Sequence, residues 1–198
     1  LGTIGDLGSL SFHSTKNVIG GECGALLVND PALGERANFI REKGTNRIQF
    51  INGKIDKYTW VDYGSSYIPS EIIAAFLDAQ LDIARDLTQR RISAWNRYFD
   101  RLSNIDLKGK IRLPQIPDYC RHNAHIFFVD TDCVETKSAL EKHLKADDIS
   151  AVSHYAPLHD CPMAKKLGCL DRKLPVAEKM AKTMLRLPIF SDISADQQ

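Results

Sequence analysis

The stretch Ser11-Phe12-His13-Ser14-Thr15-Lys16-Asn17 is followed after two residues by Gly20-Gly21-Glu22-Cys23-Gly24 and then by Ala25-Leu26-Leu27-Val28. It sets one lysine on a tight turn between two short segments of strand character, Leu7 to Phe12 and Gly24 to Val28, both expected to be buried. An ammonium is costly to bury, and desolvation readily lowers the pKa of a lysine amine, which suits lysine to Schiff-base chemistry. Lys16 is therefore the first candidate for chemistry. Residue type alone still favours an ordinary turn lysine whose amine reaches solvent.

Working outward, 198 residues with 43% hydrophobic content suffice for one large domain or two small ones with a substantial core. Twenty-six Lys and Arg against twenty-five Asp and Glu leave a net charge of +1, so bulk charge points neither to nucleic acid nor to an anionic membrane. Any charged ligand must be held by local groups. The five cysteines (Cys23, Cys120, Cys133, Cys161, Cys169) are odd in number and lack CxxC spacing, which reads as reduced thiols of a cytoplasmic protein rather than a disulfide framework. No apolar run reaches the ~18 to 20 residues that span a bilayer, and no basic segment leads into an apolar one at the start, so no membrane partner is expected. The chain opens at Leu1 without Met in a strand-and-glycine pattern, and is expected to be a fragment of a longer protein.

Asn29-Asp30-Pro31 predicts a helix start, with Asp30 as N-cap and Pro31 at the first helical position; Leu33, Ala37 and Ile40 recur at helical spacing up to Gly44. Residues 45–69 hold Gly53, Gly64 and the aromatics Phe50, Tyr58, Trp60, Tyr63 and Tyr67 without periodicity, and read as one long loop of the kind that is often functional. Ser70-Glu71 then opens a helix with apolar positions from Ile72 through Phe99, long enough at ~1.5 Å per residue to join two domains. Its Arg90-Arg91 pair reads as a solvated face. Pro114 and Pro117 mark a boundary near residue 110. Beyond it, Ala124 to Val129 is predicted as a strand, Thr136 to Leu144 as a helix, Ile149 to His154 as a strand and Val176 to Leu187 as a last helix, making a smaller α+β unit.

Four segments in this order resemble one family: Ser-Phe-His-x-x-Lys-Asn at 11–17, the Gly-Gly-Glu-x-Gly hairpin at 20–24, Gly64-Ser65-Ser66-Tyr67 running into Ser70-Glu71-Ile72-Ile73, and His154-Tyr155-x-Pro157-Leu158-His159. The family is that of the DegT/DnrJ/EryC1/StrS sugar aminotransferases, which use pyridoxal 5′-phosphate, and the resemblance runs from Leu1 to Phe190. It implies an α/β fold class, a fragment of the type I aminotransferase fold. Residues 1–110 would be the C-terminal part of the large cofactor-binding domain with its connecting helix, and residues 111–198 a small C-terminal α+β domain. Within the family, Arg41 to Arg47, Asp56 to Trp60 and Gly64 to Tyr67 are most similar to members that aminate C4 of dTDP-4-keto-6-deoxyglucose for surface polysaccharide such as enterobacterial common antigen.

By this resemblance Lys16 matches the lysine that bonds covalently to pyridoxal phosphate and moves a proton between the amino donor, glutamate, and the cofactor. The motif reverses the preference drawn from residue type. Ser11 matches the hydroxyl that donates to the cofactor phosphate, against the alternative of a strand serine bonded to backbone. His13 is read as structural. Ser66 stands where the family has an asparagine that reaches the phosphate of the neighbouring subunit's cofactor; Tyr67 or Asn46 are the residues that could compensate for the shorter side chain. Lys43-Gly44 replaces a His-Gly pair, and Cys23 replaces a glycine, so its side chain needs room. The acidic partner of the pyridine nitrogen, the residue stacked on the ring and the remaining phosphate donors precede the matching segment in the family.

Lys57 and Tyr58, with Trp60, are candidates for the substrate's diphosphate or base, against a solvated lysine and core aromatics. His154, Tyr155 and His159 are candidates for the sugar-nucleotide pocket, against polar residues at a strand edge. His159 with Cys161 lacks zinc-like spacing, and no metal is expected. The family implies a homodimer with shared active sites, a nucleotide-linked keto sugar as substrate and a cytoplasmic location. Two other readings stay open: a transaminase for a C3 position or for a GDP- or UDP-linked sugar, and a non-catalytic interaction module.

Overall fold

The computed structural model describes residues 2–168 and 173–198. The chain forms two compact units, residues 1–85 and 86–198. In the first, β1 (Leu7–Ser11) pairs antiparallel with β2 (Gly24–Val28), in a register that sets Leu7 opposite Val28 and Ser11 opposite Gly24. The two strands form their own two-stranded sheet and none of their residues is fully buried. Lys16 is exposed on this chain, contrary to expectation: the hairpin pairs with no third strand, and its strand residues are at most half-buried.

The first helix, α1 (Pro31–Arg41), starts where the sequence places it. Asp30 accepts from the Ala32 amide at 2.9 Å and Pro31 takes the first turn, where its missing N–H costs nothing. Residues 45–69 are not one irregular loop; they contain α2 (Arg47–Ile51). Nor does a single helix run from residue 70 to residue 99. α3 (Glu71–Asp82), capped by the Ser70 hydroxyl, and α4 (Ala84–Ser103) are separated at Ile83, although neither Pro nor Gly lies between Glu71 and Ser103.

α4 belongs to the second unit because Ile92, Trp95, Phe99 and Leu102 recur along one face and pack on that unit's sheet. The compact units divide in the first turn of α4. The sheet has the order β3 (Ile111–Arg112), β4 (Phe127–Thr131), β6 (Met184–Leu187), β5 (Val152–Ser153), every pair antiparallel. α5 (Val134–Ala146) follows β4; a 3₁₀ turn at Leu158–Asp160, α6 (Pro162–Lys166) and α7 (Pro175–Thr183) lie between β5 and β6. The predicted final helix to Leu187 ends at Thr183. Met184 to Leu187 instead fill the gap between β4 and β5, where the fully buried Leu185 meets Phe127 and Val129.

The ring of Trp95 stacks on Phe99 at 5.3 Å and meets the edge of Phe127 at 5.2 Å, while Tyr98 stacks on Phe127 at 5.0 Å and donates its hydroxyl to the Pro188 carbonyl. Arg91, expected on a solvated face, is buried. Its guanidinium donates to the carbonyls of Ala124 (3.1 Å) and His125 (2.7 Å), so the charge ties the segment before β4 to α4. Arg90 does lie outside, between Asp86 and Asp192. Cys23, Cys120, Cys133 and Cys161 are free thiols; Cys169, like Leu1, lies outside the described residues. Among the described residues no helix is long and apolar enough to cross a membrane.

Arg91→Ala leaves two carbonyls without their charged donor and opens a gap beside Trp95. A loss of about 2 to 4 kcal/mol in unfolding free energy is expected. Urea unfolding of Arg91→Ala and Arg90→Ala, compared with the parent, checks this, with Arg90→Ala changing stability by less than about 1 kcal/mol.

Candidate active site

Lys16 sits at the tip of a turn that the backbone closes tightly. The Phe12 amide donates to Cys23 O (2.9 Å), the Gly20 amide to Phe12 O (2.7 Å) and the Lys16 amide to His13 O (2.9 Å). His13 braces the turn: Nδ1 lies 3.0 Å from the Thr15 hydroxyl and Nε2 lies 3.1 Å from Glu22. The lysine side chain is exposed. Ser11, the last residue of β1, is also exposed, and its Oγ accepts one long bond from the His13 amide at 3.4 Å. The room that Cys23 requires is provided across the turn by Gly20, where a Cβ would lie 2.3 Å from the Cys23 sulfur.

Ser66 is brought to the C-terminal end of α1 by a fold-back of the segment after it. Ser65 N donates to Ile40 O (3.0 Å), Lys43 N to Ser65 O (3.0 Å) and Tyr67 N to Arg41 O (3.1 Å), with Glu42 and Ser66 facing each other in an antiparallel bridge. Lys43 adopts a left-handed backbone, φ 63°, and Gly44 follows at φ 73°. A Cβ on Gly44 would lie 1.7 Å from the Asp62 carbonyl oxygen, so only glycine fits. The Asn46 side chain accepts from the Thr59 amide at 2.7 Å through Oδ1, which ties it to the loop.

Ser66 and Tyr58 line one cavity of about 470 Å³, together with Arg41, Glu42, Lys43 and Arg47. Sequence reasoning attached no role to these four; the run of charge from Arg41 to Arg47 was the available signal, but only the fold-back shows that it faces Ser66. Tyr58 packs against Phe50 at 5.7 Å between ring centres. Lys57 is exposed on the same loop and does not line the cavity, and Trp60 is exposed with its indole N–H on the Asp62 carbonyl at 2.6 Å.

In the second unit, His154 and Tyr155 follow β5 with their rings 5.4 Å apart, and the Arg186 guanidinium stands 5.8 Å over the Tyr155 ring. Val152 pairs with Arg186, so His154, two residues on, is a diagonal neighbour of Arg186 on one sheet face. His154 Nδ1 and Arg186 Nε are both buried without a hydrogen-bond partner. His159 is elsewhere on this unit, its Nε2 3.2 Å from Glu178, and the Cys161 thiol donates to the Pro157 carbonyl at 3.5 Å. The Leu174 amide, followed by His159, holds the Glu178 carboxyl below its usual range.

Could these groups hold pyridoxal phosphate? The donor set fits in kind: a primary amine on Lys16 able to bond a carbonyl carbon, and a hydroxyl on Ser11 able to donate to phosphate. A family model described as the DegT/DnrJ/EryC1/StrS aminotransferase family matches residues 1–198. The chain belongs to this family. This family member is 28% identical over 197 residues to the dTDP-4-dehydro-2,3,6-trideoxy-D-glucose 4-aminotransferase of Saccharopolyspora spinosa, covering 97% of the chain and 49% of the relative. It has the fold of S. venezuelae DesV, solved in complex with a ketimine intermediate, with a TM-score of 0.82 and 28% identity over 98% of the chain and 49% of DesV. The Streptococcus pneumoniae protein Spr1654 in its PLP form shares the fold at a TM-score of 0.80 and 21% identity, covering 99% of the chain and 49 to 50% of that protein across its forms. The fold is thus that of an aminotransferase fragment, and pyridoxal phosphate is the cofactor of its structural neighbours. The chain spans about half the length of the curated relatives it matches.

Burial, and then the Arg186 charge, lower the His154 pKa from 6.5. Because the folded value lies below the unfolded one, the neutral ring favours folding. Its contribution is complete above 6.5 and is lost as pH falls through the folded value. The His154 ring is expected to titrate below 6.5 by NMR, and the loss of thermal stability between pH 7 and pH 5 to shrink in His154→Gln.

Proposed function

We propose that the intact protein is a pyridoxal-phosphate-dependent sugar aminotransferase. It transfers an amino group from glutamate to the C4 keto group of dTDP-4-keto-6-deoxyglucose, the reaction of a dTDP-4-amino-4,6-dideoxygalactose transaminase in surface polysaccharide synthesis. The observation that carries this reading is Lys16 at the tip of a turn pinned on both sides, with the Ser11 hydroxyl on the strand leading into it, in a member of an aminotransferase family. The choice of C4 and of a dTDP sugar rests on the resemblance over residues 41–67.

Bound pyridoxal phosphate would supply an electron sink that weakens bonds to the carbon carrying the amino group. Lys16 has two tasks: its Nζ holds the cofactor covalently at rest and, once released, carries a proton between the reacting carbons. Ser11 Oγ donates to the cofactor phosphate, and Ser66 Oγ does so from the neighbouring subunit. Tyr58 and Lys57 act on the diphosphate end of the substrate, and His154, Tyr155 and His159 on the sugar nucleotide from the small domain. In this reading residues 1–110 close the large domain and lead out of it, and residues 111–198 form the small one. A homodimer with shared sites gives the exposed side chains of Trp60, Tyr63 and Tyr67 a surface to meet, and the cytoplasm supplies the substrates. The 198 residues by themselves are expected to turn over poorly, since the family's acidic partner for the pyridine nitrogen has no counterpart among them.

Borohydride treatment of the intact protein is expected to fix the mass of reduced cofactor on the peptide that contains Lys16. In Lys16→Ala that adduct disappears and transamination falls by at least ~10²- to 10⁴-fold. A Lys16→Ala protein that keeps both would end the proposal. A panel of dTDP-, GDP- and UDP-linked keto sugars separates C4 amination of the dTDP sugar from the other substrates.

A further inference from the structure

The amino donor of the proposed reaction has no residue assigned to it. Glutamate carries two carboxylates, and a carboxylate that leaves water needs a cation and N–H donors to receive it. On the second unit one guanidinium is left without an anion. Arg186 lies on β6, between β4 and β5, opposite Phe128 on the one and Val152 on the other. Leu185 and Leu187, on either side of it in the chain, belong to the core, so strand alternation turns Arg186 to the other face of the sheet. The carboxylate beside it there, Asp130, is a diagonal neighbour and is already engaged by the Arg112 guanidinium and by the Thr183 hydroxyl at 2.5 Å. Among the described residues Arg186 forms no ion pair, and its Nε–H is buried without an acceptor.

The surroundings of this guanidinium fit a carboxylate better than a phosphate. Its carbon stands 5.8 Å over the Tyr155 ring, a cation–π contact that consumes none of its five N–H donors. Nε–H and the adjacent Nη–H form a parallel fork, which a planar carboxylate meets with both oxygens. His154, the diagonal neighbour just past β5, adds a third group, since its Nδ1 is also buried and unpartnered. Burial and the Arg186 charge keep that ring neutral at pH 7, so the pair carries a single positive charge, the match for one carboxylate rather than for a dianionic phosphate. A neutral imidazole can still turn an N–H on Nδ1 toward an oxygen. Transamination engages donor and sugar one after the other, so a residue that meets the sugar nucleotide is free for the donor in its turn. We propose that Arg186, with His154, is the site that binds a carboxylate of the amino donor, an assignment that rests on the transaminase reading.

The test is calorimetric titration of the intact protein with glutarate, a dicarboxylate that lacks the reacting amine, and with thymidine diphosphate. Arg186→Gln is expected to weaken glutarate about 10- to 100-fold, the loss of a charge-assisted pair, and to leave thymidine diphosphate within about twofold of the parent. Arg186→Lys keeps the charge without the fork and is expected to fall between the two. The His154 ring resonances are expected to shift on addition of glutarate in the parent and to stay in place in Arg186→Gln, a readout independent of turnover. Should Arg186→Gln fold poorly, Arg186→Lys and His154→Gln decide, the latter expected to weaken glutarate about threefold, the loss of one hydrogen bond. No glutarate binding by the parent, or parental affinity in the folded Arg186 variants, would overturn the site. So would a loss confined to thymidine diphosphate, which gives the cation to the sugar nucleotide. Borohydride that fixes no cofactor on Lys16 removes the transaminase reading instead, and glutarate binding that depends on Arg186 then stands as a carboxylate site without that donor.

Discussion

The approach of two backbones at Gly44 governs what the first unit can present to a ligand. With no Cβ there, the Asp62 carbonyl comes to a distance that any other residue would block, and the amides of Val61 and Asp62 both donate to Gly44 O at 2.8 and 3.0 Å. That closure turns residues 45–65 into an excursion that returns to its origin. Ser66 then lies against Glu42, and a run of charge that is local in sequence becomes one wall of a cavity whose other wall is more than ten residues away. Arg36 supports the same point from outside by pairing with Asp62 at 2.9 Å, and the Tyr63 amide, followed by Arg36, lowers the pKa of that carboxyl from its ordinary value.

The second unit rests on a different device. Its sheet is small and its central strands are short, so packing comes from helix faces, that of α4 with Leu140 and Leu144 of α5, rather than from a second layer of strands. Trp95 and Tyr98 on α4 clamp Phe127, and Arg91 on the same helix secures the two carbonyls just before β4. A buried guanidinium here replaces a strand partner: it pairs backbone acceptors that no neighbouring strand reaches. The arrangement leaves His154 Nδ1 and Arg186 Nε unpaired at the opposite, β5 edge of the sheet order. Buried polar atoms without partners cost free energy, so unspent hydrogen-bonding capacity lies at His154, which is proposed to meet the sugar nucleotide, and at its neighbour Arg186.

Legibility in the sequence followed the range of the interactions involved. The Asp30 cap and the Ser70 cap are set within a few residues of themselves, and the β1–β2 pair within about twenty, so all three could be read directly. Arg91 could not, because its acceptors lie more than thirty residues on and an Arg-Arg pair on a helix is ordinarily solvated. Met184 to Leu187 continue the apolar pattern of α7, and only pairing with β4 and β5 turns them into a strand. The break at Ile83 carries no proline or glycine, and nothing local marks it. At the site, Lys16 and Ser11 were visible as a motif, and Ser66 as a departure from one. The meeting of Ser66 with Arg41, Glu42 and Arg47 depends on the closure at Gly44.

Lys16 itself shows where local structure stops short of chemistry. Its turn is rigid, held by three backbone bonds and by His13, yet the side chain is exposed and β1 and β2 bury nothing around it. A lysine that bonds a cofactor at neutral pH is served by dry or cationic surroundings, and none of the residues described on this hairpin provides them. What the hairpin does provide is position: it fixes the lysine backbone so that little entropy is lost when the amine is engaged. The charged side chains are gathered instead at the Arg41–Glu42–Arg47 cluster, beside a glycine-dependent fold-back. The placement of the amine and the clustering of charge are thus divided between two local motifs of the first unit.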